Sequence, residues 1–200
     1  MDKLKNRDRK DPKGLRNLWG LFIKFTKMEK YDLLEPEQHY HIYNQGNDSI
    51  NLFKNEGNYL FFLQRFEKYI TPVAHIYAYA LMPNHFHFLV QIKTDSNEKT
   101  ASQAFANLFN SYAKAFNKQQ NRSGSLFRRK FRRKKIGSQR YLENTLIYIH
   151  NNLVKHGYSN SAIEYPWTSY HNYLTIEETF INKYAVEWFK GIKKFKIGHE

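Results

Sequence analysis

Apolar and polar positions along this chain alternate in some stretches with the period of a half-buried strand and in others with the spacing of a helix face. His39-Tyr40-His41-Ile42-Tyr43-Asn44 alternates and stops at Gln45-Gly46-Asn47-Asp48, which has turn chemistry. From Gly57, the apolar residues Leu60, Phe61, Leu63, Phe66 and Ile70 recur at helical intervals until Thr71-Pro72 ends them. Val73 to Met82 and His85 to Ile92 are strand-like by their Val, Ile, Tyr and Phe content and flank Pro83-Asn84, so a hairpin is expected. Thr100 and Gln103 have the spacing of a capping box ahead of a helix with the face Phe105, Leu108, Phe109, Tyr112 and Phe116. A short strand near Lys134 to Ile136 and a last core helix from about Ser138 to Asn152, with its stripe at Leu142, Leu146, Ile149 and Leu153, complete the pattern.

Strand, helix, hairpin, helix, edge strand and helix in that order suit an α+β fold, a ferredoxin-like or RRM-like antiparallel sheet with helices packed on one face. Residues 1–37 show no clean period. They mix Lys3, Lys5, Arg7, Arg9 and Lys10 with an apolar patch from Leu18 to Phe25, and read as a basic N-terminal extension, with Met28 as an alternative start. Residues 38–157 form the domain proper, and 158–200 a tail with a small helix from about Glu177 to Phe189.

Composition narrows the function. The 200 residues suffice for one ordinary core, and 32 Lys and Arg against 18 Asp and Glu leave a charge of +14, which favours a polyanion, nucleic acid before membrane. No apolar run reaches the roughly 18 residues of a membrane span, and the charged N-terminus lacks a signal's apolar stretch, so a cytoplasmic location is expected. With 0 cysteines, disulfides and thiolate metal sites are excluded. A metal would have to rest on histidine, carboxylate or amide ligands.

His85 and His87 stand two apart in Ala80-Leu81-Met82-Pro83-Asn84-His85-Phe86-His87-Phe88-Leu89-Val90-Gln91, so a strand points both imidazoles the same way while Phe86, Phe88 and Val90 face a core. The pair suits a divalent metal; a hydrogen-bonded, structural pair is equally open. On the last core helix Tyr148 and Asn152 share a face with Thr145 and Tyr141, and Tyr148 lies about 100° from the stripe residue Ile149. A tyrosine needed only for packing belongs on the stripe. Tyr112, the other candidate for chemistry, sits on its own helix's stripe with Leu108 and Phe116.

The stretch Ala80 to Gln91, taken with Tyr148-Ile149-His150-Asn151-Asn152, resembles the single-tyrosine HUH transposases, most of all their REP-associated tyrosine transposase branch. The resemblance runs from about His39 to Tyr170 and includes His41-Ile42-Tyr43-Asn44-Gln45-Gly46-Asn47, Gly124-Ser125-Leu126-Phe127 and Tyr165-Pro166-Trp167-Thr168-Ser169-Tyr170. The family usually carries Arg where Gln45 stands, Pro where Leu153 stands, and no extension like residues 1–37.

The resemblance implies that residues 38–157 are a catalytic domain in which His85, His87 and Asn152 hold a divalent metal ion, Mg or Mn, and Tyr148 is the nucleophile. The reaction implied is nicking and rejoining of single-stranded or hairpin DNA through a 5′-phosphotyrosine. A free phenol, with a pKa near ~10, needs a nearby cation to favour its phenolate. Arg122, Arg128, Arg129, Lys130, Phe131, Arg132, Arg133, Lys134 and Lys135 would then bind the strand, phosphates by charge and a base by stacking on Phe127 or Phe131. A homodimer and a monomer are both open. Two other readings compete: a metal-dependent nucleic-acid hydrolase that uses Tyr148 only for positioning, and a hairpin-DNA-binding protein that has lost strand transfer. A two-histidine phosphoesterase would need a second His-x-Ser/Thr motif, which is missing.

Overall fold

The computed structural model describes residues 32–199. Strands β1 (His39–Gln45), β2 (Ala74–Met82), β3 (His85–Ile92) and β4 (Arg132–Ile136) form one sheet in the order β2-β3-β1-β4, every neighbouring pair antiparallel. The alternation of β3 sends Phe86, Phe88 and Val90 to one face and His85 and His87 to the other. Because Ile42 pairs with Phe88 and Tyr43 with His87, β1 continues both faces.

The phenylalanine face is covered by α1 (Glu56–Ile70) and α2 (Glu98–Gln119), with Phe66 stacked on Phe88 at 4.1 Å and Phe109 on Phe86 at 5.5 Å between ring centres. Asn55 caps α1. The box that starts α2 is Asn97 with Thr100, whose backbone and side chain exchange bonds of 3.0 and 2.9 Å, rather than the expected Thr100 with Gln103. An Asn at the cap position competes well with Thr, and its capture of the Thr100 amide starts the helix earlier.

This is the expected α+β antiparallel sheet with helices on its apolar face, and one further helix is added. The other face carries α3 (Gln139–Lys155), capped by Ser138 and packed on β2 and β3. It can do so because β2 is buried on both faces, with Ala78 and Ala80 opposite Leu89 and His87. Alanine side chains let the helix approach closely, and Leu146, Ile149 and Leu153 are fully buried there.

Residues 158–199 pack against the domain and do not trail from it. Leu81 N donates to Trp167 O (2.9 Å), Asn182 N to Ile76 O (2.7 Å) and the Tyr165 hydroxyl to Leu81 O (2.8 Å), so the outer edge of β2 is closed against pairing with another chain. Ile181 bridges to Ile76, which takes the chain before it out of helical conformation. The helix expected over Glu177 to Phe189 therefore shrinks to α4 (Ala185–Trp188), and α5 (Ile192–Ile197) follows after Gly191, at φ 108°. Phe195 of α5 is fully buried on Tyr173, 4.7 Å away.

At the other end, Leu34 is buried, Glu37 N donates to Ile92 O (2.8 Å), and the Asp32 carboxylate accepts from Lys135 N (2.8 Å). Residues 32–37 thus belong to the sheet's surroundings and not to an extension; the rest of that expectation, residues 1–31, lies outside the described residues. Among the described residues no helix is long and apolar enough to cross a membrane.

Phe195→Ala is expected to destabilise the fold by about 3–5 kcal/mol, as for other buried aromatics, and the fully exposed Ile176→Ala by under about 0.5 kcal/mol. Denaturant unfolding of the full chain measures both; equal, small losses would mean that the C-terminal segment is not part of the core.

Candidate active site

The β2–β3 turn is tied down before the histidines begin. Gly46 N donates to Asn84 O (2.8 Å), and a Cβ on Gly46 would run into the Ile50 carbonyl, so glycine is required where the two turns meet. The Asn84 side-chain oxygen then lies 2.6 Å from His85 Nδ1, leaving His85 Nε2 to face the Asn152 oxygen of α3 at 3.2 Å. Asn152 is 1 % exposed, and its Nδ2 has no hydrogen-bond partner.

His87 is fixed by a residue that the sequence reading passed over. His41, on the neighbouring strand β1, places its Nε2 2.8 Å from His87 Nδ1. The alternation of His39 and His41 put them on one face of a strand, but only the β1–β3 pairing brings His41 beside His87. Tyr43 stacks on His87 from the same strand, at 5.6 Å and 25°. Tyr148, 40 % exposed, turns its ring edge-on to His87 and His41, with centres 5.7 and 5.8 Å apart. Lys155 Nζ lies 5.8 Å from the centre of the same ring. The structure therefore brings His85, His87, Tyr148 and Asn152 together. Tyr112 is removed as a rival, buried with its hydroxyl donating to Leu52 O.

Burial pushes both site imidazoles toward the neutral form: His85 is lowered by desolvation, with His156 adding to it against the Asn152 contact, and His87 is held well below the usual range by desolvation and then by His41, His85 and His156. A neutral imidazole has one N–H. On His85, Nδ1 faces the Asn84 oxygen and Nε2 the Asn152 oxygen, and the one N–H of the neutral ring can serve only one of the two. On His87 the bond to His41 occupies Nδ1 and leaves Nε2 open. His85 Nε2 and the Asn152 oxygen, 3.2 Å apart, are both of the donor type that can ligate a divalent cation. Ligands at right angles on an ion with bonds of ~2.1 Å stand about 3 Å apart. Among the described residues no cluster of three or more His, Cys, Asp or Glu suits a metal, so an ion here would need the Asn152 amide as well as the two imidazoles.

The basic segment does not act as one surface, because β4 alternates too. Arg133 faces α2, where it pairs with Glu98 at 3.1 Å and bonds Ser102, and Lys135 pairs with Glu35. Phe131, partly buried, packs on Phe105 and Phe109 at 5.3 and 5.4 Å, and Phe127 is buried on Phe109, so both rings are engaged with α2. Arg122 binds Asn117 and Ser125 O. Arg132 and Lys134, opposite Tyr43 and His41, stand on the histidine face. Arg128, Arg129 and Lys130 are exposed on the loop leading to it, with the Arg128 guanidinium against the Gln45 side chain.

The model of a family described as "Transposase IS200 like" matches residues 36–152. A curated relative from Haemophilus influenzae, named "Putative REP-associated tyrosine transposase", is 30% identical over 101 residues, which are 47% of this chain and 57% of the relative; the chain thus spans little more than half of that relative's length. A solved structure described as a REP-associated tyrosine transposase bound to a REP hairpin is alike in fold, with a TM-score of 0.62 at 17% identity over 74% of this chain and 86% of that one.

Mn2+ titrated into the full chain is expected to bind at this site. His41→Phe removes only the group that orients His87, and should weaken the affinity by roughly ten- to a hundredfold. Unchanged affinity in calorimetry would take His41 out of the site.

Proposed function

This chain belongs to the IS200-like transposase family, and from that premise we propose that it nicks and rejoins single-stranded DNA, at or beside a hairpin, with Tyr148 as the nucleophile. The observation that carries the reading is the juxtaposition on α3: Tyr148 against His87 and, one turn on, Asn152 against His85. Four residues of helix separate nucleophile and amide, so a phosphate held at one is within reach of the other.

His85, His87 and Asn152 would hold a divalent ion, Mg or Mn. When bound, it supplies Lewis-acid polarisation of a phosphate and positive potential beside the phenol. Lys155 adds positive potential next to Tyr148, and the ring's partial exposure leaves its hydroxyl open to a strand lying along α3. Tyr148 Oη gives up its proton and attacks phosphorus; the P–O3′ bond breaks, the departing oxygen takes a proton, and the 5′ end stays on the enzyme as a phosphotyrosine. Attack by a 3′-hydroxyl reverses the step, so rejoining needs no ATP. The hairpin is part of the proposal because the solved relative is described with one bound.

Tyr148→Phe is expected to abolish the covalent adduct with labelled single-stranded DNA from the gene's flanks while leaving binding within about twofold, since only the attacking hydroxyl is lost. An adduct that persists and maps by mass spectrometry to another tyrosine would reassign the nucleophile, and cleavage without an adduct would favour hydrolysis. A second test uses the salt dependence of binding, to which each neutralised phosphate of a single strand contributes a slope of ~0.7. Changing Arg128, Arg129, Arg132 and Lys134 to Gln should lower that slope by roughly two to three units. Arg133→Gln with Lys135→Gln should leave it unaltered, because these two are engaged with Glu98 and Glu35. An equal drop in both sets would show that the strand does not follow the histidine face.

A further inference from the structure

On the N-terminal side of Tyr148 the site opens into a cleft of about 470 Å³, lined at its near end by His87 and Tyr148 and beyond them by Tyr43, Lys134, Tyr141 and Asn144, whose side chains take no part in the strand-transfer step. We propose that this cleft is a nucleobase subsite, which takes the base of a nucleotide flanking the scissile phosphate between the rings of Tyr43 and Tyr141; the proposal rests on the strand-transfer reading above. Tyr43, stacked flat on His87 and within 4.9 Å of the His41 ring centre, makes one π-wall. Tyr141, on α3 across the cleft, makes the other. Lys134 Nζ lies 5.1 Å from the Tyr141 ring centre and brings a cation to the same rim, where a phosphate attached to the held nucleotide would lie. The exposed Asn144 amide supplies donors and an acceptor for a base edge.

The helix sets the spacing. Seven residues separate Tyr141 from Tyr148, a rise of about 10 Å, so the cleft runs from the attacking hydroxyl at one end to Tyr141 at the other, about the reach of a flanking nucleotide along an extended strand. Tyr43 and Tyr141 are both only partly buried, Tyr141 resting on the edge of the core, and Thr145 between Tyr141 and Tyr148 spends its hydroxyl on Tyr141 O (2.7 Å). What remains is a cationic slot with aromatic sides that opens beside the nucleophile, the chemistry with which proteins hold an unpaired base.

The test is single-turnover adduct formation on single-stranded DNA carrying the mapped cleavage site, with an abasic residue placed in turn at each of the two flanking positions. At one of them, removing the base should slow the wild type by roughly ten- to a hundredfold, the loss expected for one base stack. Tyr141→Ala should be slow on the intact strand and no slower on the abasic one, and Tyr141→Phe, which keeps the ring, should behave as the wild type. If the wild type forms the adduct equally fast with either base missing, or Tyr141→Ala keeps the full sensitivity to base removal, the subsite is overturned and the chemistry stands. If the wild type forms no adduct on any strand, the strand-transfer reading falls and the subsite with it.

Discussion

Everything at the site depends on how closely α3 can lie on the second face of the sheet. Ala78 and Ala80 on β2 leave room for Leu146, Ile149 and Leu153 to bury completely, and that seat fixes the helix's rotation about its own axis. Once the apolar stripe is down on β2, the adjoining face of the helix turns over β3 and β1, and it carries Tyr148 and Asn152. A bulkier residue at Ala80, which pairs with His87, would lift the helix where the polar side chains meet.

Two hydrogen-bonded systems hold that geometry from opposite sides. Toward the C-terminal segment, His199 Nδ1 donates to Phe195 O (2.7 Å), His150 Nδ1 to His199 Nε2 (2.9 Å), Ser169 Oγ to His150 Nε2 (2.8 Å) and Tyr79 N to Ser169 Oγ (2.8 Å). Each ring carries one proton and every group in the series is satisfied, so a buried polar network locks α3 to β2 and α5 without an unpaired charge. The site side is less fully bonded. His41 orients His87 and Asn84 orients His85, yet Asn152 meets His85 through its oxygen alone and its buried nitrogen has no partner. The first system is closed within the protein, whereas the second is left open at that Asn152 nitrogen.

Much of this was legible in the sequence because it rests on local periodicity. The alternation about His85 and His87, the apolar stripe of the last core helix and the displacement of Tyr148 from it all follow from repeat lengths, and the structure joins them as expected. What the sequence concealed depends on pairing between distant segments. His41 gained meaning only when β1 was laid beside β3, and the basic run looked continuous until β4 divided it, turning Arg133 and Lys135 away to Glu98 and Glu35. Phe131 read as a stacking residue because aromatic rings among arginines suit nucleic acid; the Phe105 and Phe109 rings on a distant helix claimed it instead. The C-terminal segment has weak periodicity of its own, and its order comes from the open edge of β2.

The central claim is that His85, His87 and Asn152 share one divalent ion beside Tyr148. Pulsed electron paramagnetic resonance of the Mn2+-loaded full chain tests it most directly, since imidazole nitrogens bound to the ion couple to its unpaired electrons. The account predicts the signature of two coordinated imidazoles, reduced to one in His85→Ala and preserved in Tyr148→Phe. A spectrum without imidazole nitrogen coupling, or one unchanged in His85→Ala, would place the ion elsewhere and contradict it.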